Sequence, residues 1–455
     1  EIASCLVGSE MCIRDSYSVA EIRYNILFTL IAVLSFTSCS NDIDEVFDKP
    51  SAERVNDAIA EYKTVLTSAE NGWLMKYYPK ANTKYGGYNL LLKFGTDGNV
   101  TAMSDALGAD TKATSHYKLE QSASIVLSFD EYNKVIHFFS DPANPDGIGD
   151  NGKGMEGDLE FRVLTATADS VVMLGKKRGT KIVMTPMAKD ADWTETINHI
   201  DDLEQEMQFP KYTCEVNDVK YVATTSYRTI TFTSSNAEEG STTEPYIVTD
   251  KGIEFYEPIT LNGVTVKGFN YKGGDNYEFE STDAAVKMLG VVPPISEQVI
   301  SGDWFFSVAN MGSYTQAYWN AGNEEVSKYY SPCYYAAFTT SAFDGYVGHW
   351  GILFNVAGYG SFIDITPTIV DDDHISFACP GKFGANGQFF YGRCQLYMIY
   401  ALTGDEGTHA ANVAKTYKVE LMQGTTKQPS SIKLTDESNP NNWFVLTTSM
   451  PESLF

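Results

Sequence analysis

The sequence predicts a mainly β protein of α+β class, in which a duplicated unit of one amphipathic helix and one antiparallel sheet precedes an all-β sandwich or barrel domain. Three observations lead there. Aromatic residues are abundant, with 28 Tyr, 25 Phe and 6 Trp in 455 residues, and with many Thr, Val and Gly they suit strands and tight turns. Helical periodicity is clear at two places, each followed by a series of strand-like runs. Beyond Val291-Val292-Pro293-Pro294, which reads as a linker over 291–300, only strand patterns follow, over 301–455.

The N-terminal region has the logic of export. Residues 1–16 (EIASCLVGSEMCIRDS) carry no signal-peptide pattern and read as a non-native artefact. Over 17–38, Arg23 precedes the apolar run Ile26 to Leu34, which ends in Ser35-Phe36-Thr37-Ser38-Cys39. Nine residues are too few to span a bilayer, which takes about 20. Small residues before Cys39 resemble a bacterial lipobox, so cleavage is expected to leave Cys39 as an acylated N-terminus. Residues 39–50 then form a flexible acidic tether containing Asp42, Asp44 and Glu45.

The whole chain has a formal charge of −26. Removing residues 1–38, which hold Arg14, Arg23, Glu1, Glu10, Asp15 and Glu21, leaves 31 basic and 55 acidic residues and a charge of −24. Such a surface repels phosphate, which argues against nucleic-acid binding. The 417 residues from 39 onward exceed the roughly 250–300 at which one core stops growing, so several domains are expected.

The first unit spans 51–189. Val55, Ala58, Ile59, Tyr62, Val65, Leu66 and Ala69 fall on one helical face, and Asn71-Gly72 ends the helix. Strand-like runs follow at 73–78, 88–94, 125–129, 135–139, 159–164, 171–174 and 182–185, with Asp97-Gly98 as a hairpin signal. The second unit spans 190–290. Asp192 and Glu195 have capping-box spacing, and Trp193, Ile197, Ile200, Leu203 and Met207 share a face. Strands follow at 221–224, 229–233, 246–249, 253–256 and 264–269. Duplication is suggested by Gly157-Asp158-Leu159-Glu160-Phe161 set against Gly274-Asp275 with Tyr277-Glu278-Phe279, each followed by a short apolar strand ending in Gly175 or Gly290.

Several motifs, Ser51-Ala52-Glu53-Arg54-Val55, Leu66 to Trp73, Gly86-Gly87-Tyr88 with Phe94, Gly157 to Phe161 and Gly175-Lys176-Lys177, resemble the family named domain of unknown function 4302. The resemblance implies a lipoprotein of the Bacteroidota, held by lipid on the outer membrane and facing the exterior, near TonB-dependent uptake systems and their substrate-binding lipoproteins. It implies no active site.

The chemistry-bearing residues point away from the simplest enzymes. The six histidines, at 116, 137, 199, 349, 374 and 409, never take a helical zinc-protease spacing, and neither a Cys-x-x-Cys pair nor a Gly-x-Ser-x-Gly elbow occurs. Asp371-Asp372-Asp373-His374 is the densest acidic group; in a strand-to-strand turn its side chains are expected to diverge, so no metal site is assigned. Gly147 to Gly152 fits Gly-x-Gly-x-x-Gly but lacks a following helix to hold a phosphate. The carboxylates from Asp141 to Asp158 could hold calcium but lack EF-hand order; no other cofactor is indicated.

The expected role is binding of a nutrient, a glycan above all, as accessory to an uptake system. A structural or adhesive part that docks on the transporter is the alternative, and an enzyme acting on glycan or peptide the third reading. Tyr314, Tyr318, Trp319, Tyr329, Tyr330, Tyr334 and Tyr335, among Gln316, Asn320 and Asn323, form the candidate ligand surface, because flat rings beside amides suit sugars. The competing reading places these rings in a core. Cys379 and Cys394 are expected to face each other across a hairpin of 375–379 with 389–397, as a disulfide in an exported protein.

Overall fold

The computed structural model describes residues 50–143, 148–342, 345–356, 358–381, 384, 386–389, 397–403 and 413–450. The chain divides into a short unit, 1–64, and a large one, 65–455. Helix α1 (Ser51–Ser68) runs through the dividing point. Among the described residues, no helix is long and apolar enough to cross a membrane.

Three antiparallel sheets follow one another, and all three share one plan. The first holds β1 (Trp73–Tyr77), β2 (Tyr88–Phe94), β3 (Asn99–Ser104), β4 (Lys112–His116), β5 (Lys118–Gln121), β6 (Ile125–Ser128), β7 (Glu160–Ala166), β8 (Val171–Gly175) and β9 (Lys181–Pro186). Its strand order runs from β4 through β1 and β9 to β5. The two end strands are separated in the chain only by Tyr117, and two Cα steps span less than about 8 Å. The sheet must therefore curl until its ends meet.

The second sheet is a closed barrel of β10 (Lys211–Val216), β11 (Val219–Ser226), β12 (Thr229–Ser234), β13 (Ser241–Val248), β14 (Gly252–Leu261), β15 (Val264–Gly273), β16 (Glu278–Ser281) and β17 (Lys287–Val291). β10 pairs with β17 to close it. Closure leaves no free edge for pairing with another chain.

The third sheet holds β18 (Trp304–Ser307), β19 (Tyr335–Thr340), β20 (Trp350–Val356), β21 (Tyr359–Asp364), β22 (Thr366–Asp371), β23 (His374–Ala378), β24 (Lys415–Gly424), β25 (Pro429–Thr435) and β26 (Trp443–Thr447). Its order runs from β21 through β18 and β26 to β22, and only Ile365 separates the end strands. Counting β4 with β5 and β21 with β22 as kinked single strands, each sheet is the same eight-position up-and-down ring.

The two regions expected as duplicated units each carry one of these sheets, and 301–455 carries a third with the same strand order. The sequence match that suggested duplication falls on non-equivalent strands: β7 is sixth in its ring, whereas β16 is seventh. Short hairpins with inward Phe and outward Glu recur for general β reasons, so the similarity slipped by one strand.

Helix α2 (Lys134–His137) and the 3₁₀ turn Phe138–Ser140 replace the strand expected at 135–139. Asn133 decides this locally: its Oδ1 accepts from Val135 N at 3.0 Å and Ile136 N at 3.4 Å, an N-cap that a strand could not use. Helix α3 (Trp193–Glu206) matches expectation, with the Asp192 carboxylate accepting from Thr194 N and Glu195 N. Its two halves serve different cores. Trp193 and Ile197 pack with Leu91 and Met103 of the first sheet, while Ile200 and Met207 join the core of the second barrel.

The expected linker is also structured. Residue 291 closes β17, and α4 (Ile295–Gln298) leads to the buried Val299 of the third core. Gln298 O accepts from the Trp304 indole at 3.1 Å. The largest departure from a strand-only third domain is helix α5 (Ser313–Val326).

Candidate functional site

Ion pairs and close backbone contacts join the first two sheets. Gly87 N donates to Tyr246 O at 2.9 Å, and a Cβ on Gly86 would lie 2.2 Å from Arg228, so two glycines in a row are needed for this approach. Arg228 sits in the two-residue loop between β11 and β12. Its Nη1 donates to Gly87 O at 2.9 Å and to Asp105 Oδ2 at 2.8 Å, while Nε and Nη2 hold both oxygens of Glu204 on α3. Asn89 Nδ2 donates to Asp105 and to Val248 O, both at 2.8 Å. Burial would favour losing the guanidinium proton, but the Asp105 and Glu204 carboxylates more than reverse this and hold Arg228 charged. Lys76 and Glu254 make a second link at 2.6 Å. Lys427, from the β24–β25 turn, donates to Gln205 O and Glu206 O at the C-terminus of α3 and lies 4.1 Å from the centre of the Phe209 ring. This joins the second barrel to the third with a cation at the negative helix end.

The expected aromatic ligand segment divides into buried and exposed members. α5 buries Thr315, Trp319, Gly322, Asn323 and Val326 as one stripe. Trp319 is only 3% exposed, its Nε1 donates to Cys333 O at 2.7 Å, and its ring meets Phe306 edge-on at 5.8 Å. It is a core residue and offers no face to a ligand. Tyr318 packs against the same core, and Tyr314 lies 5.0 Å from it, ring to ring. Tyr335 is half-buried at the start of β19.

Tyr329 and Tyr334 are more than half exposed. Tyr330, half-buried, contacts two partners that the sequence reading missed: Tyr359 at 5.6 Å and Phe389 at 6.1 Å between ring centres, both edge-on. Tyr359 and Phe389 are themselves exposed. They lie 29 and 59 positions from Tyr330 in the chain, and neither stands in a motif, so the local pattern held no signal for them. Tyr330, Tyr359 and Phe389 form a surface aromatic cluster on the third sheet.

The other expected sites resolve as follows. Cys39 and Cys394 lie outside the described residues. Cys379 is buried; most of its expected partner strand, 389–397, lies outside the described residues, and β23, which precedes Cys379, is flanked by β22 and β24. Both of its edges are occupied, and Tyr397–Tyr400 is helical. Asp371, Asp373 and His374 converge instead of diverging, because a register shift between Ile369 and Asp371 tightens the turn. His374 Nδ1 lies 2.7 Å from Asp371 and 2.9 Å from Asp373, and the Asp371 carboxylate raises the imidazole above its usual range. Of the proposed calcium carboxylates, Asp150 pairs with Lys80 and Lys84, and Glu156 with Lys80 and Arg178. Asp158 accepts from the backbone of Lys177 and Arg178. Gly147 lies outside the described residues; Asp150 to Gly154 forms a tight turn.

No curated protein matches this chain. Among solved structures, the chain is compared with the DNA polymerase III β chain of Streptococcus pneumoniae TIGR4, at 7% identity over 88% of this chain and 98% of that one, with a TM-score of 0.12. The Helicobacter pylori β clamp bound to a DNA ligase peptide gives 8% identity over 88% and 98%, with a TM-score of 0.10. At such scores these likenesses carry no argument. The family model for a domain of unknown function (DUF4302) matches residues 43–273, taking in the whole first sheet and β10 to β15 of the barrel. That is just over half of the sequence, and the chain belongs to the DUF4302 family.

Proposed function

We propose that this protein is a lipid-anchored outer-membrane lipoprotein, facing the cell exterior, that binds a glycan nutrient as accessory to a TonB-dependent uptake system. The observation that carries the binding role is the surface cluster of Tyr330, Tyr359 and Phe389, with Tyr329 and Tyr334 exposed nearby in sequence. Rings exposed at the surface, as Tyr359 and Phe389 are, can stack on the apolar faces of sugars. The acidic surface suits a neutral ligand better than an anionic one.

Glycan-array binding by the full-length protein tests this. Tyr359→Ala with Phe389→Ala is expected to weaken glycan binding about tenfold, the loss of roughly one ring contact's worth of stacking, with little change in melting temperature. Unchanged affinity in the double variant would remove the platform from the binding site.

The anchor rests on Cys39. Cys39→Ala is expected to abolish incorporation of labelled fatty acid and to release the protein from the membrane fraction, because stable anchoring takes two acyl chains or an equivalent second signal. Continued labelling of that variant would reject the anchor.

A further inference from the structure

The closed barrel has a cavity of about 370 Å³ at one end, where β11 ends, β14 begins and the chain leaves α3. Its volume is at the low end for small-ligand sites, and barrel mouths are a common location for them. Phe209 and Tyr246 supply buried rings, Tyr227 an exposed one, and Gln208 and Thr225 an amide and a hydroxyl at the rim. Among the described residues, Glu204 is the only charged one in the lining, and both of its oxygens are taken by Arg228. The cavity therefore offers flat apolar faces and neutral hydrogen-bonding groups, with its one charge already compensated.

Tyr227 adds a second observation. Its φ of 51° lies in the left-handed region, where a bulky side chain is strained and glycine or asparagine would be the relaxed choice in a two-residue hairpin loop. The ring is held at the rim by the buried Tyr85 of the β1–β2 loop, edge-on at 5.5 Å, while more than half of Tyr227 remains exposed. Local strain that fixes an exposed ring beside a cavity is a feature of ligand clamps.

We infer that the mouth of the second barrel binds one neutral, hydroxylated ring, a single sugar residue stacked on Tyr227. The choice of a sugar rests on the glycan reading above, but the site is separate from the third-sheet cluster. Saturation-transfer NMR of the full-length protein with neutral methyl pyranosides tests it, with methyl glucuronide as the charged counterpart. Transfer to at least one neutral pyranoside is expected. It should persist in Tyr359→Ala with Phe389→Ala, and fall at least tenfold in Tyr227→Ala and in Thr225→Trp, which blocks the mouth from its rim.

Absence of transfer from the wild-type protein, retention in both mouth variants, or equal transfer to the glucuronide overturns the inference. Loss only in the Tyr359 and Phe389 variant would overturn it while leaving the glycan platform standing. Loss only in the mouth variants, with array binding unaffected by the platform variant, would do the opposite. Melting curves of Tyr227→Ala and Thr225→Trp, two exposed positions, separate loss of binding from loss of fold.

Discussion

Arg228→Met is expected to lower unfolding stability by about 3–5 kcal/mol, the range for removing one partner of a buried ion pair. The Asp105 side chain is fully buried and that of Arg228 is 6% exposed, so neither charge is screened by water. Without the guanidinium, Asp105 keeps the neutral donors Asn89 N, Asn89 Nδ2 and Ser104 Oγ but no cation, Gly87 O loses its Arg228 donor, and Glu204 loses both contacts. The methionine fills similar volume, so the loss reports charge compensation more than packing. Chemical denaturation of the single variant, and of Arg228→Met combined with Asp105→Asn, measures it. The double variant should recover part of the loss, because the fully buried carboxylate is gone and only the part-exposed Glu204 is left without its cation. A single-variant loss below about 1 kcal/mol would show that water reaches Asp105.

Trp319→Ala is expected to cost about 3–5 kcal/mol, as for emptying an aromatic core site. The indole projects from α5 into the third core and meets Phe306 edge-on. Cys333 O would still accept from Asn323 Nδ2 at 2.8 Å, so the loss comes from the cavity more than from an unpaired carbonyl. Tyr359→Ala, by contrast, removes an exposed ring and should leave stability nearly unchanged. Thermal melts of the two variants side by side distinguish core from surface: equal, small losses would return Trp319 to the surface.

Much of the fold was legible in local sequence. A run of apolar residues located β2 at 88–94, and alternation of buried and outward residues located the core of β8, β9 and β12, because a strand's period of two is set by its own backbone. Asp192 announced the start of α3 because a cap needs only the next three residues. Composition likewise set the mainly β class, since it depends on residue counts and not on neighbours. The short strands β3, β4 and β5 were missed: Lys112–His116 and Lys118–Gln121 contain too little apolar alternation to stand out.

What only the tertiary structure decided depends on residues far apart in the chain. Ring closure brings β1 to β9 and β18 to β26, and no local pattern encodes which strand meets which. α5 escaped detection because Asn320, Gly322 and Asn323 are weak helix formers; the helix is held by burying Thr315, Trp319 and Val326 against sheet residues that come before and after it. The same packing divided the tyrosine segment, sending Trp319 inward and leaving Tyr330 to meet Tyr359 and Phe389 at the surface. Arg228 reaches Asp105 across 123 positions. Its sequence neighbours show only a polar hairpin loop, and the burial that makes it a clamp exists only once two separate sheets have folded and met.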